Sequence, residues 1–137
     1  IEYIMKQPYV MIISDGEAAS LEHSGQPHPR WYGTFPRVIA KYARERKLIS
    51  LETAIFKMTG LPASRAGLQN RGMIREGMCA DLVLFDYDTI NDTPSYSQPK
   101  QACEGILRVY VNGVLTAENG RHTGARAGKI LRRGEKC

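Results

Sequence analysis

Residues 9–13, Tyr-Val-Met-Ile-Ile, are apolar without a break, and the run stops abruptly at Ser14-Asp15-Gly16. A strand with one wet face alternates apolar and polar side chains. A continuous run fits a strand buried on both faces, as in a parallel sheet covered by helices. The whole chain has 137 residues, enough for one domain with a usable core. A complete (β/α)8 barrel needs roughly 250 residues, so the chain cannot close one by itself. It opens on Ile1 with no charged-then-apolar leader after it, the expectation for a piece processed or cut from something longer.

Composition excludes several classes. With 42% apolar and 24% charged residues the chain is not of the disordered type. Its longest apolar run, five residues, is far below the ~18 of a membrane span. The net charge of +5 is mild, and much of it gathers late in Arg121, Arg126, Lys129, Arg132, Arg133 and Lys136. No aromatic residue interleaves with these cations to stack on bases, so a solvated, partly frayed tail is expected rather than a nucleic-acid patch. Cys79, Cys103 and Cys137 form an odd set without a Cys-x-x-Cys pair. That speaks against a disulfide framework and for a reducing, cytoplasmic setting.

Residues 17–33 contain Gly25, Pro27, Pro29 and Gly33 without periodicity and read as a long loop of the kind kept for function. Thr34 is placed to cap a helix with Pro36 in its first turn, and Val38, Ile39 and Tyr42 recur on its inner face. Ser50 caps a second helix with Glu52 in the positive first turn. Its stripe is Leu51, Ala54, Ile55 and Met58, with Gly60 as a left-handed terminator. Pro62 opens a third helical piece that Gly67 ends. Residues 81–86 read as a strand, and residues 107–111 and 114–117 form a hairpin around Asn112-Gly113. Asn119-Gly120 marks another turn, and residues 87–104 form a polar connection. The expected class is α/β, or α+β in isolation.

Asp15 follows the end of the apolar run, where sites of parallel α/β folds gather. A carboxylate there can be a general base, a metal ligand, or the cap of an Asx turn with Gly16. The next loop holds His23, His28 and Arg30, and a planar guanidinium suits two-point binding of a carboxylate. Asp15, His23 and His28 match no standard zinc spacing, and no cysteine lies near. His122 reads as a surface histidine.

Taken together, Ser14-Asp15-Gly16, His28-Pro29-Arg30 and Gly33-Thr34-Phe35-Pro36-Arg37 resemble the later part of N-acyl-D-amino-acid deacylases, the D-aminoacylases of the amidohydrolase superfamily. The likeness continues through Met58-Thr59-Gly60-Leu61-Pro62-Ala63 and Arg71-Gly72-Met73-Ile74-Arg75-Glu76-Gly77. It extends over Ala80-Asp81-Leu82-Val83-Leu84-Phe85-Asp86, Val111-Asn112-Gly113 and His122-Thr123-Gly124-Ala125-Arg126. The pattern over 77–86 is common to many amidohydrolases, whereas the His-Pro-Arg and Gly-Thr-Phe-Pro-Arg pieces point to the deacylase branch.

The resemblance implies a parent with a zinc-bearing TIM barrel and a small β-sandwich. Residues 1–68 would be the C-terminal end of the barrel: last strand, active-site loop and helices. Residues 69–137 would be a sandwich segment with a basic tail. It further implies that Asp15 takes a proton from the attacking water and returns it to the leaving amine, and that Arg30 holds the α-carboxylate of an N-acyl-D-amino acid. For His28 the resemblance leaves two readings, a residue that lines or supports the site and a purely structural one. The family's zinc ligands belong to strands this chain does not contain, so no metal ligand set is expected here, although Asp15 would face the parent's metal. Residues 17–26 depart from the family loop, so the resemblance carries no side-chain or acyl preference.

The resemblance thus implies a zinc-dependent hydrolase fragment, inactive alone, acting in its parent on a small molecule and not on nucleic acid or membrane. The competing reading is a non-catalytic interaction or structural domain of the same descent, or another amidohydrolase of dihydroorotase-like or dipeptidase-like type. A last barrel strand without neighbours would leave apolar edges, so self-association, a swap or a rearranged opening segment is expected.

Overall fold

The computed structural model describes residues 1–17, 19–22 and 24–134. A helical part comes first: α1 (Glu2–Lys6), α2 (Arg30–Arg37), a π-helical continuation over Val38–Glu45, α3 (Leu51–Met58) and α4 (Gly60–Ala66). A four-stranded antiparallel sheet follows, in the order β1 (Leu82–Phe85), β2 (Ile106–Val111), β3 (Val114–Glu118), β4 (Arg121–His122).

The opening run is not a strand. Residues 10–14 are irregular, and among the described residues no strand pairs with them. A buried parallel strand needs a partner on each edge, and here a lysine takes that place. Lys57, only 2% exposed on α3, donates from Nζ to the carbonyls of Gln7 and Val10, the latter at 2.9 Å. The Ile12 amide donates to the Lys57 carbonyl at 3.0 Å. Only one face of the run is covered. Ile12 packs on the core of Val38, Ala43 and Ala54 with Ile49 and Met58, while Met11 and Ile13 are exposed.

α2 begins four residues earlier than Thr34, which lies inside it and donates to the Arg30 carbonyl. The loop expected over residues 17–33 is shorter by the same amount. The start was hidden because the N-cap residue is Pro29, which has no side-chain acceptor; His28 Nδ1 accepts the Arg30 amide instead, at 3.0 Å. Pro36 sits within α2 and has no N–H to give the Tyr32 carbonyl one turn back. That carbonyl accepts from Cys103 Sγ at 3.3 Å. Two residues after Pro36 the helix widens to the π form, whose spacing continues in the Arg46 amide bond to the Lys41 carbonyl.

Ser50 caps α3, its hydroxyl accepting the Thr53 amide at 3.2 Å. Gly60 does not terminate α3. The chain turns at Thr59, and Gly60 opens α4, buried so tightly that a Cβ would lie 2.8 Å from both Met73 Sδ and Phe56 Cδ2. Gly67 ends α4 in the left-handed region as expected.

The sheet follows the sequence reading closely. Asn112 and Gly113 both take positive φ (50° and 79°), the mirror-image turn that suits strand twist, and Asn119-Gly120 repeats it before β4. Arg71 reaches Asp81 and donates to Asn112 Oδ1 at 2.5 Å, while the Asn112 amide donates to Asp81 Oδ1 at 2.8 Å. These bonds bind the 69–77 segment to the hairpin. The described tail is largely exposed, as expected, and touches the body near its end, where Arg133 lies against Gly67 and the Gly134 amide donates to the Gly67 carbonyl. Cys103 is a free thiol. His23, Lys136 and Cys137 lie outside the described residues. No helix among the described residues is long and apolar enough to cross a membrane.

Candidate functional site

The apolar run delivers Asp15 into the first turn of α2. Asp15 adopts φ 50°, a left-handed conformation that aspartate tolerates better than most residues. The Gly16 amide donates to Ser14 Oγ at 3.2 Å, so the serine closes the turn. The Asp15 carboxylate points elsewhere, to Arg30.

Arg30 holds Asp15 at two points: Nη2 lies 2.8 Å from Asp15 Oδ2, and Nε donates to the Asp15 carbonyl at 2.9 Å. The Asp15 side chain is 81% exposed and Arg30 43%, so the pair faces solvent. Gly16 lets the two segments approach, since a Cβ there would sit 2.9 Å from the Trp31 Cα. Glycine serves here for closeness, not for an unusual φ.

His28 stands beside this pair. With Nδ1 accepting the Arg30 amide, the neutral ring carries its proton on Nε2, which donates to the Tyr96 hydroxyl at 3.1 Å. The rings meet edge to face at 5.1 Å and 81°. The structure therefore brings together Asp15, His28 and Arg30, the three described residues singled out from sequence. It adds Tyr96, which lies 68 residues from His28, with no local spacing to announce it.

Residues 87–104 run alongside α2. Arg37 donates to Asp92 Oδ2 at 2.7 Å, Cys103 meets the Tyr32 carbonyl, and Gln26 Nε2 donates to the Tyr96 carbonyl at 3.1 Å. A polar cleft of about 480 Å³ opens between Gly25 and Gln26 on one side and Ser97 to Gln101 on the other. Burial pushes the Cys103 thiol above its ordinary range, with Asp92 and Glu104 adding to the effect and a backbone bond at Thr93 opposing it. His122 lies apart, exposed, accepting the Gly124 amide in a surface turn.

Among the described residues no three His, Cys, Asp or Glu side chains converge, and Asp15 presents one carboxylate whose described partner is a cation. The site supplies an exposed carboxylate and a guanidinium at the end of an apolar segment.

The family pattern described as "Amidohydrolase family" matches residues 23–117, and the chain belongs to that family. Among curated proteins it is 49% identical over 123 residues to a D-aminoacylase of Alcaligenes xylosoxydans xylosoxydans, a match spanning 90% of this chain and 25% of that protein. A crystal structure of D-aminoacylase, described as defining a novel subset of amidohydrolases, superposes with a TM-score of 0.88 at 45% identity, over 96% of this chain and 27% of that one. N-acyl-D-glutamate deacylase from Bordetella bronchiseptica, complexed with zinc and a phosphonate that mimics the tetrahedral intermediate, gives a TM-score of 0.81 at 38% identity over 96% and 27%. The chain spans about a quarter of the length of the relatives it matches.

Proposed function

We propose that the chain is the C-terminal portion of a zinc-dependent hydrolase that cleaves N-acyl-D-amino acids to a carboxylate and a D-amino acid, and that it does not catalyse alone. The observation that carries this reading is the convergence of Asp15 and Arg30 at 2.8 Å across a 15-residue separation. It occurs in a chain 49% identical to a D-aminoacylase. Residues 1–68 are assigned to the closing part of a TIM barrel and residues 69–137 to a segment of a small β-sandwich. The unpaired apolar run supports this: it has the composition of a buried strand, and its missing partners would belong to the rest of the barrel.

In the whole protein the zinc ligands come from outside this chain. Asp15 accepts a proton as water attacks the acyl carbonyl, and returns it to the nitrogen as the C–N bond breaks. Arg30 pairs with the substrate's α-carboxylate, exchanging one carboxylate partner for another. His28 is assigned to the same site, beside Arg30, whose amide it accepts. The test compares the 137-residue chain, with zinc added, against the full-length polypeptide, using N-acetyl-D-methionine. Turnover by the full-length protein and none by the chain is expected; robust Asp15-dependent turnover by the chain alone would refute the reading.

As an isolated piece the chain exposes Tyr9, Ile13, Val83 and Leu84, each more than half accessible. This supports self-association through surfaces that the remaining polypeptide would otherwise cover. Light scattering across a concentration series is expected to show mass growing beyond that of one chain.

A further inference from the structure

The connection between β1 and β2 is more than a linker, because it grips α2 at successive levels. Asp92 takes Arg37, Cys103 takes the Tyr32 carbonyl, and Tyr96 takes His28. The fit is close: a Cβ on Gly33 would meet Asp92 Cβ at 3.2 Å and Pro94 Cδ at 3.4 Å. The uppermost contact is the one nearest the chemistry.

Tyr96 is 76% exposed, yet its backbone and hydroxyl are both held. The turn beneath it is closed by the Ser95 amide on the Gln98 carbonyl and the Gln98 amide on Ser95 Oγ, both at 3.1 Å. Gln26 grips its carbonyl. Its hydroxyl and ring then fix the rotation of the His28 ring, whose tautomer is set by the Arg30 amide. His28 Nδ1 in turn accepts the Arg30 amide at the start of α2, an amide that Pro29 cannot cap. Arg30 carries the guanidinium that reaches Asp15.

We infer that Tyr96 is a positioning residue of the site: through His28 it fixes the first turn of α2, and with it the aim of the Arg30 guanidinium at a substrate carboxylate. The inference rests on the deacylase reading above. A hydroxyl that acts only through Arg30 should matter only to ligands bearing the carboxylate that Arg30 binds.

The test uses the full-length zinc-loaded polypeptide and Tyr96→Phe, which removes one oxygen and keeps the ring. For N-acetyl-D-methionine, KM is expected to rise about three- to tenfold, the range of one hydrogen bond, with kcat within about twofold. For N-acetyl-D-methioninamide, followed as substrate or competing ligand, the variant and the parent are expected to bind alike. His28→Ala should raise KM similarly, and the double variant should add nothing further. An unchanged KM, an equal loss on both compounds, or additive effects would overturn the inference. A second readout does not depend on activity: 15N-histidine spectra of the same polypeptide, assigned with His28→Gln. His28 is expected as the Nε2–H tautomer in both proteins, with its Nε2 proton exchanging with solvent faster in Tyr96→Phe. An Nδ1–H ring in the parent, or an Nε2 proton that exchanges equally fast in both proteins, overturns the inference even if deacylation is found, and slower exchange in the parent sustains the contact even if deacylation is absent.

Discussion

Arg30 closes on Asp15 through two nitrogens, Nη2 on the carboxylate at 2.8 Å and Nε on the backbone carbonyl at 2.9 Å. The second bond fixes the guanidinium relative to the Asp15 main chain, so the cation keeps its place when the carboxylate partner changes. A lysine could satisfy the charge but not both points. Arg30→Lys in the full-length polypeptide is expected to raise KM for an N-acyl-D-amino acid by roughly tenfold or more, the scale of a lost charge-assisted hydrogen bond. Steady-state kinetics checks this, and an unchanged KM contradicts it.

Lys57 holds the opening segment where a neighbouring strand is lacking. Lys57→Met keeps most of the buried stem and leaves the Val10 carbonyl without its donor, while the Gln7 carbonyl keeps the Val10 amide. A loss of roughly 1–3 kcal/mol is expected from stranding the Val10 acceptor. Denaturant midpoints measure it, and amide exchange at Ile12 should accelerate in the same variant, because that amide bonds the Lys57 carbonyl.

The start of α3 is expected to lose stability in acid. Its own helix amide and the Ser50 hydroxyl hold the Glu52 carboxyl below the ordinary carboxylate range. A depressed folded-state value means the stabilisation is present above the unfolded value and is lost as pH falls through the folded one. Ser50→Ala is expected to cost about 1 kcal/mol at neutral pH, the value of a helix cap. It should also flatten the acid limb of a stability–pH curve; an unchanged limb would show that Glu52 gains nothing from the cap.

Cys103 is shielded by burial and by its bond to the Tyr32 carbonyl. Its raised thiol pKa leaves less thiolate at neutral pH than an exposed cysteine has. Alkylation by iodoacetamide, followed by mass spectrometry, is expected to be slow at pH 7 and to speed up on raising pH or adding denaturant. Fast modification of the folded chain would contradict the packing of residues 87–104 on α2.

The sequence announced what local chemistry decides. Asn112-Gly113 and Asn119-Gly120 demand positive φ and set the hairpins, and Ser50 marks the α3 start. It misled where partners decide. The 9–13 run has the composition of a buried strand, but strand formation needs edges that this chain does not offer. The start of α2 was invisible because a histidine two residues upstream, rather than the N-cap residue, accepts the Arg30 amide. Asp15, His28 and Arg30 were legible from residue type and place, while Tyr96 reaches the site only through the tertiary fold.

The most direct test is the rate at which full-length Asp15→Asn hydrolyses N-acetyl-D-methionine in the presence of zinc. Asparagine preserves the shape and can still face Arg30, but it cannot carry the proton. Loss of kcat by about 10² to 10⁴, the scale of general acid–base catalysis, is the predicted result. Turnover within a fewfold of the unsubstituted protein would contradict the role assigned to Asp15, and with it the central claim.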